Sequence, residues 1–527
     1  MSPRILAVAA LVLAAIAPAE ARSLRWAAIG EALTLDPHAA GDRASRALVR
    51  QVYDTLLTRG PKGELLPELA ASWRTLSLDA STWEFRLRPG VKFHNGAALT
   101  ADDVAFSIQR AMGPASDLRG LLASVDRVTR VDDLTVRVRT KGANPLLPNA
   151  LAGVFIVSRA WAEANGAALA QDPAAGEGFA ARNANGTGPF ALVSREPGSR
   201  TVLRRNEQYW SRDPGAPFEV TEVVHAPIRS GAARIAALLA GEADIADGVP
   251  AQDVERLRSL RAMSVATAAR AGTIYLGLDV TSPELSGSAV KGRNPFADRR
   301  VRQALNLAVD RVALREALRG QAEPAGALVP PGPGGPPREI GEPPKADPAK
   351  AKALLAEAGF PDGFGLTLSC PGDAAADAEA ICREVAGMVT RAGVAATVVV
   401  QPRAQVLAAA RKSPSEAGFV LAVLDGPLLD SEAVFSALVH TREGRYGALN
   451  AARYSNPDLD RRIEAIAAMT DPAKRAAAVA EVWKAVQDEA LFVPLVHPVA
   501  AVAARGFEVP LDPDGLPRLK GVFVKGP

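Results

Sequence analysis

The sequence predicts an α/β protein, and three observations carry that prediction. Runs of apolar period two alternate along the whole chain with runs of period 3.6, so strands and helices are interleaved rather than segregated. Helix starts recur as a capping residue followed by proline, at Asp347-Pro348, Asn456-Pro457 and Asp471-Pro472. No internal repeat is present, which argues for lobes built on sheets rather than a barrel or a bundle. At 527 residues there is roughly three domains' worth of chain.

The elements follow in order. Arg25 to Ile29 reads as a first strand, Leu35-Asp36-Pro37-His38 as a turn, and the segment around Leu48, Val52 and Leu56 as a helix ending near Gly60. Trp83, Phe85 and Leu87 alternate with Glu84, Arg86 and Arg88, the pattern of a half-buried strand. Pro89-Gly90 and Asn95-Gly96 each turn the chain. Thr100 is placed to cap a helix whose first turn holds Asp102 and Asp103, with Val104, Ile108 and Ala111 on one face. Leu134, Val136 and Val138 mark another strand, and 162–184 reads as a helix and loops.

Gly186-Thr187-Gly188-Pro189-Phe190-Ala191 fits the spacing G-x-G-x-x-A, but strand-like sequence follows it and no helix N-terminus is there to hold a pyrophosphate. An Ala-rich helix over 230–247 is stopped at Gly241. Thr273 to Leu278 is an apolar strand, and Asp298 caps a helix with Val301, Ala304, Leu305 and Ala308 inward. The tract 330–337, PPGPGGPP, can be neither helix nor central strand and reads as a surface connection. Strands are expected at 366–369, 394–400 and 418–424. Two final helices turn Leu459, Ile463 and Ile466, then Val479, Val482, Trp483 and Val486, toward the core.

Composition excludes some functions. With 61 basic and 58 acidic residues, a net charge of +3 and no basic run, the chain lacks the footprint of a nucleic-acid binder. Arg4 precedes the 13-residue apolar run Ile5–Ala17, and Ala19-Glu20-Ala21 follows. This is the pattern of a secretory signal peptide cut after Ala21; a spanning helix needs about 20 apolar residues. An exported chain permits a disulfide between its two cysteines, Cys370 and Cys382. One ends a predicted strand and the other lies well inside the next helix. A bridge needs Cα atoms within about 7 Å, so the spacing leaves the pairing open.

The run WEFRLRPGVKFHNGAALTADDVAFSI, residues 83–108, resembles the signature region of family 5 extracellular solute-binding proteins, the peptide, nickel and related receptors of bacterial ABC importers. Further blocks resemble that family in its order, among them PELAASW (67–73), GTGPF (186–190), RNEQYW (205–210), AGEADIA (240–246), PFADRRVRQALNLAVDR (295–311), YSNPDLD (454–460) and VPLVHP (493–498). The resemblance implies a two-lobed, hinged periplasmic-binding-protein fold of type II with an extra inserted subdomain. Lobe 1 would comprise 22–49, 186–271 and 490–527, the insertion 50–185, and lobe 2 272–489. The chain would cross between lobes near 271–273 and 491–494. It further implies a periplasmic monomer without cofactor or catalysis. Such a protein captures an oligopeptide or other organic solute and delivers it to an inner-membrane ABC permease driven by a cytoplasmic ATPase.

In peptide-binding members the loop after the strand matching 418–424 carries Gly-Trp and then an Asp that pairs with the peptide amine. Here Val423 to Asp430 has no Trp, and Pro427 takes the acidic position. Asp425 or Asp430 is placed to substitute, since an ammonium needs only a nearby carboxylate. Tyr275, Tyr446 and Asn450 are the remaining cleft candidates. Of the five histidines, His38 and His94 are expected in exposed turns, and His440 suggests a metal or metal-chelate receptor as the rival reading. No nucleophile-base or zinc-hydrolase signature supports a secreted hydrolase.

Overall fold

The computed structural model describes residues 22–525 apart from 61–62, 173–175, 212–217, 270–271, 333, 373, 376, 413, 426–429 and 445. The expected signal peptide lies outside the described residues. Among them, one twelve-stranded sheet runs through most of the molecule. Its main path is Val394–Gln401, Phe364–Pro371, Phe419–Asp425, Gly272–Leu278, Phe492–Arg505, Ile245–Asp247, Ser23–Ala28, Glu222–Pro227, Arg200–Arg205, Phe190–Glu196. A separate four-stranded sheet has the order Ala70–Thr75, Thr82–Leu87, Thr135–Thr140, Val125–Asp132.

The central strand Phe492–Arg505 joins the two halves of the large sheet. Its first part pairs with Gly272–Leu278 and Ala322–Pro324, the last pairing being Ala322 opposite Pro498. From Val499 onward its partner is Met263–Ala269, and Ile245–Asp247 pairs with residues 502–504. The change of partners therefore falls between Pro498 and Val499. Pro494 is tolerated within the strand: it sits at a register shift opposite Tyr275, where a missing N–H costs little.

Three groups of buried side chains follow this division. One contains Leu24, Trp26, Leu48, Phe190 and Leu519, with a neighbouring layer around Ile235 and Val254. A second lies wholly within 56–156, around Phe85, Val104 and Val136. The third draws on 274–496, with Leu276, Phe296 and Phe419 on one face of the sheet and Phe435, Trp483 and Phe492 on the other. Val157, Ala162, Ala167 and Ala180 pack with the first group.

The local signals translate closely. Asp347, Asn456 and Asp471 each accept N–H bonds at the starts of Pro348–Glu357, Pro457–Ala468 and Pro472–Asp488. The helix Gly231–Ala240 ends at Gly241, whose φ of 77° is the left-handed conformation a C-terminal cap requires. Thr100 precedes the helix Ala101–Ala111 as expected, but it works in reverse. Its hydroxyl donates to the Asp103 carboxylate at 2.8 Å, which also accepts the Thr100 N–H at 3.0 Å. The first helix stops at Val52 rather than near Gly60, and Leu57–Arg59 is a strand. The G-T-G stretch opens the strand Phe190–Glu196 and holds no phosphate cradle. A Cβ on Gly186 or Gly188 would meet the Val52 carbonyl oxygen at 2.0 or 2.6 Å, so glycine permits the backbone approach there.

Cys370 and Cys382 are joined by a disulfide, with Cα atoms 6.2 Å apart. The helix Ala378–Arg391 starts soon after the strand and folds straight back on it, so Cys382 lies within reach in its second turn. The bridge closes a loop with a sequence separation of 12. Replacing both cysteines by alanine is expected to lower stability by about 3 kcal/mol, read from urea unfolding. A change under about 0.5 kcal/mol would show that the strand–helix pair needs no staple.

Candidate functional site

Two cavities stand out. The first, about 170 Å³, is lined by many charged side chains and lies between the helix Arg43–Val52, the insertion and the C-terminal tail. Its charged groups serve one another. Arg50 pairs with Asp514 at 2.7 Å and with Asp512. Asp54 accepts bonds from Thr187 Oγ1 at 2.9 Å, Trp210 Nε1 at 2.9 Å and Tyr209 OH at 3.2 Å. Burial, with the nearby Asp54 charge adding to it, pushes the Glu68 carboxyl up to about 7. The blocks PELAASW, GTGPF and RNEQYW meet here, as the polar seam between the first core and the insertion.

The second cavity, about 190 Å³, is apolar and lies wholly in the second half of the molecule. Its floor is one face of the paired strands Gly272–Leu278 and Phe419–Asp425, with Tyr275 opposite Ala422 and Gly277 opposite Val420. The helix Arg403–Arg411 covers it with Val406 and Ala410, and the 448–452 loop with Leu449. Pro371 and Leu424 line the end where the parallel strands Phe364–Pro371 and Phe419–Asp425 reach their carboxyl ends. Crevices outside the carboxyl ends of strands are where open α/β sheets bind ligands.

Of the sequence candidates, the structure brings Tyr275 and Asn450 to this cavity. Tyr275 stands edge-on to Phe492, ring centroids 5.6 Å apart, and burial pushes its phenol up to about 12. Asn450 spends its side chain on the chain itself. Its amide donates to the carbonyls of His440 at 3.0 Å and Tyr454 at 2.8 Å, and its oxygen accepts the Tyr454 N–H at 3.2 Å. It shapes the covering loop from inside.

Tyr446 and Asp430 are elsewhere. Tyr446 stacks flat on His440, centroids 4.0 Å apart. Asp425 closes its strand with its backbone opposite Gly272; residues 426–429, Pro427 among them, lie outside the described residues. Asp430 caps the helix Ser431–Val434 through the Glu432 N–H at 2.9 Å and pairs with Arg475 at 2.6 Å, both side chains largely buried. Its charge reaches further. Arg59, on the insertion strand Leu57–Arg59, has its pKa lowered by burial, an effect that Asp430 partly offsets. The insertion and the second half of the molecule thus come within electrostatic range of each other at Asp430. Asp430→Ala is expected to cost about 2 kcal/mol in urea unfolding, through the lost cap and ion pair. An unchanged stability would contradict that structural role.

The histidines correct the expectation of exposed turns. His38 is buried and His94 half-buried. Nε2 of His38 lies 2.9 Å from the Phe155 carbonyl, and Nε2 of His94 lies 3.0 Å from that of Gly188. Near His440, Nδ1 lies 2.8 Å from the Thr441 carbonyl and Nε2 3.1 Å from Glu464. Among the described residues no group of three His, Cys, Asp or Glu is arranged to hold a metal ion.

One residue of the cavity wall, Asp279, carried no recognisable signal in sequence. It lies two residues beyond Gly277, continuing the alternation of the floor, and is almost fully buried. The only trace available was an aspartate closing an otherwise apolar strand.

Residues 64–444 match the model of the bacterial extracellular solute-binding proteins, family 5 Middle. The glutathione-binding protein GsiB of Escherichia coli (strain K12) is 28% identical over 475 residues, covering 88% of this chain and 86% of its own. Among solved structures, the periplasmic binding protein DppA of Helicobacter pylori in complex with the peptide STSA superposes with a TM-score of 0.77 at 22% identity, covering 96% and 98% of the two chains. NikZ of Campylobacter jejuni in complex with Ni(L-His) gives 0.77 at 18% identity, covering 94% and 97%. Those two are alike in fold.

Proposed function

The chain belongs to the family 5 bacterial extracellular solute-binding proteins, and from that premise we propose that it is a periplasmic receptor that closes its two lobes around a small organic solute. It hands the solute to an inner-membrane ABC permease powered by a cytoplasmic ATPase. Its activity is capture and release rather than turnover.

The observation that carries this reading is the large sheet. Two separately cored halves share the strand Phe492–Arg505, which changes partners between Pro498 and Val499. The chain also passes from the strand Met263–Ala269 to the strand Gly272–Leu278, through residues 270–271 that lie outside the described residues. Two short crossings between large rigid bodies are the structural requirement for hinge closure. On this reading lobe 1 comprises 22–49, 186–269 and 499–525 with the insertion built on it, and lobe 2 runs from 272 to 498. A solute touching both lobes favours the closed state by its differential contacts. The apolar cavity supplies the lobe 2 side of the site, and the approach of Asp430 to Arg59 supports a cleft passing between them. Asp430, engaged with Arg475, does not serve as an amine anchor on this reading.

The test is a thermal unfolding series on the ligand-depleted protein, titrated with fractions of small molecules from a periplasmic extract. A saturable rise of the midpoint in one fraction is expected, because ligand that binds only the folded chain stabilises it. No shift in any fraction would overturn the reading.

A further inference from the structure

Both ring nitrogens of His440 face acceptors. Nδ1 lies 2.8 Å from the Thr441 carbonyl oxygen and Nε2 3.1 Å from Glu464 Oε1. A neutral imidazole has one N–H and one lone pair, so it can satisfy only one of these oxygens; the imidazolium donates to both. The other histidines are placed differently. His38 Nδ1 faces the Arg110 guanidinium, His94 Nδ1 accepts the Gly186 N–H, and Nε2 of His225 and of His497 has no partner. Two further contacts of His440 favour the cation. Tyr446 lies flat on its ring, centroids 4.0 Å apart and planes 12° apart, and the face of an aromatic ring is its negative side. Asp460 Oδ1 lies 3.6 Å from Nδ1. The titratable groups in contact with the ring are thus Asp460 and Glu464 from the helix Pro457–Ala468 and Tyr446 from the following loop, and both charged ones are acids. The Glu464 side chain is 50% exposed, so solvent protons reach the pair.

This ring stands at the base of the segment that covers the apolar cavity of lobe 2. It follows directly on the π-helical turn Phe435–Val439, a rare element that recurs at functional sites. The His440 carbonyl accepts the Asn450 amide at 3.0 Å, while the Gly447 and Leu449 N–H groups donate to the carbonyls of Ser436 at 2.7 Å and Ala437 at 2.9 Å. Residues 448–452, held in this way, form part of the cavity wall, as does Leu438 of the turn. Thr441 adds a second tie to the helix, donating to Asp460 through its N–H at 3.0 Å and its hydroxyl at 2.5 Å. We propose that His440 is a proton-operated latch: its imidazolium holds residues 446–452 closed over the cavity, and loss of the proton releases them. The neutral ring keeps its bond to Glu464 or its bond to the Thr441 carbonyl and gives up the other. Histidine side chains exchange their proton between about pH 5 and 8, so the latch holds at the acid end and opens as pH rises. That sense is opposite to the one set by the buried His38, His225 and His497, where burial disfavours the charged ring. The proposal rests on the receptor reading for what the cavity takes, and adds a proton to the control of its cover.

The test is hydrogen exchange of the ligand-depleted full chain at about pH 5.5 and about pH 8, either side of the middle of the histidine range. It is read as protection factors, which remove the intrinsic pH dependence of exchange, over the segment that holds the Gly447 and Leu449 amides. The parent is expected to lose protection there by about tenfold or more at the higher pH. His440→Gln is expected to show the low protection at both values. Glu464→Gln keeps an oxygen for the Nε2 proton and removes the charge; on this half-exposed side chain it leaves the fold intact and is expected to move the loss of protection to lower pH. A ring that only packs would lower protection equally at both values when replaced, and would leave the pH dependence in place. Equal protection of the parent at the two values, or a His440→Gln variant that keeps the parent's pH dependence, would therefore overturn the latch. The two readings fail separately. A chain that takes a solute from the periplasmic extract but shows no pH-dependent protection keeps the receptor function and loses the latch. A chain whose cover responds to pH as expected but which takes nothing from the extract does the reverse.

Discussion

Arg110→Met is expected to destabilise the protein by about 3–5 kcal/mol, the cost of leaving a buried charge without its partner. Arg110 stands on the insertion helix Ala101–Ala111 and reaches into the first core. Its guanidinium donates to both oxygens of Asp36, at 2.7 and 2.6 Å, to the carbonyls of Ala167 at 3.0 Å and Leu169 at 2.9 Å, and lies 3.0 Å from His38 Nδ1. The two charged side chains are 1% and 0% exposed. Burial alone would raise the Asp36 carboxyl; the hydrogen bonds and charge of Arg110 outweigh it and hold the group below its usual range. One residue thus ties the insertion, the 34–38 turn and the 167–171 loop together. The methionine keeps most of the volume, so a loss below about 1 kcal/mol in urea unfolding would show that these segments hold without the pair. Asp36→Asn added to Arg110→Met is expected to recover part of the loss, because the orphaned charge is gone.

Acid is expected to weaken the fold well above the carboxylate range. His38, His225 and His497 are all lowered from about 6.5 to about 4, in each case chiefly by burial. The geometry agrees with neutral rings. His38 Nδ1 faces a guanidinium, and Nε2 of both His225 and His497 is buried without any acceptor for an added proton. The folded values lie below the unfolded ones, so their contribution is complete above pH 6.5 and is lost as pH falls toward 4. Each is worth about 3 kcal/mol across that span. Glu68 runs the other way: raised to about 7, it adds stability as pH falls from 7 to 4.5, again by about 3 kcal/mol. Three terms against one leave a net loss of about 5 kcal/mol between pH 7 and 4.5. Urea unfolding at those two values checks it, and equal stabilities would contradict buried neutral histidines. His497 has a special place, since its Nδ1 lies 2.9 Å from Thr273 Oγ1 and 3.2 Å from the Gly272 carbonyl, beside both crossings between the lobes.

How much of this the sequence reveals depends on the range of the interaction. Caps at Asp347, Asn456 and Asp471, the left-handed stop at Gly241 and the inward face of Val479, Val482, Trp483 and Val486 are local, and each was legible from spacing alone. The Arg110–Asp36 pair joins residues 74 apart, and nothing in either neighbourhood announces the other. His38 and His94 sit among turn residues, which locally suggests exposure, yet distant segments close over them. The disulfide turned on where one helix starts relative to its strand, a matter of a few residues that periodicity does not fix. The candidate site was the least legible part. Its cavity arises from small residues on strands and loops far apart in sequence, such as Gly277, Ala410 and Ala422, which have no signature of their own. Asp430 has the composition of a ligand contact, but its cap and its bond to Arg475 are visible only in three dimensions.

The central claim is that the chain takes a solute into a cleft between two lobes. Native mass spectrometry of the protein purified from the periplasm without refolding tests it most directly. The account predicts a discrete added mass that is released on denaturation. The bare mass of the chain alone, persisting after incubation with the small-molecule fraction of the same periplasm, would contradict it.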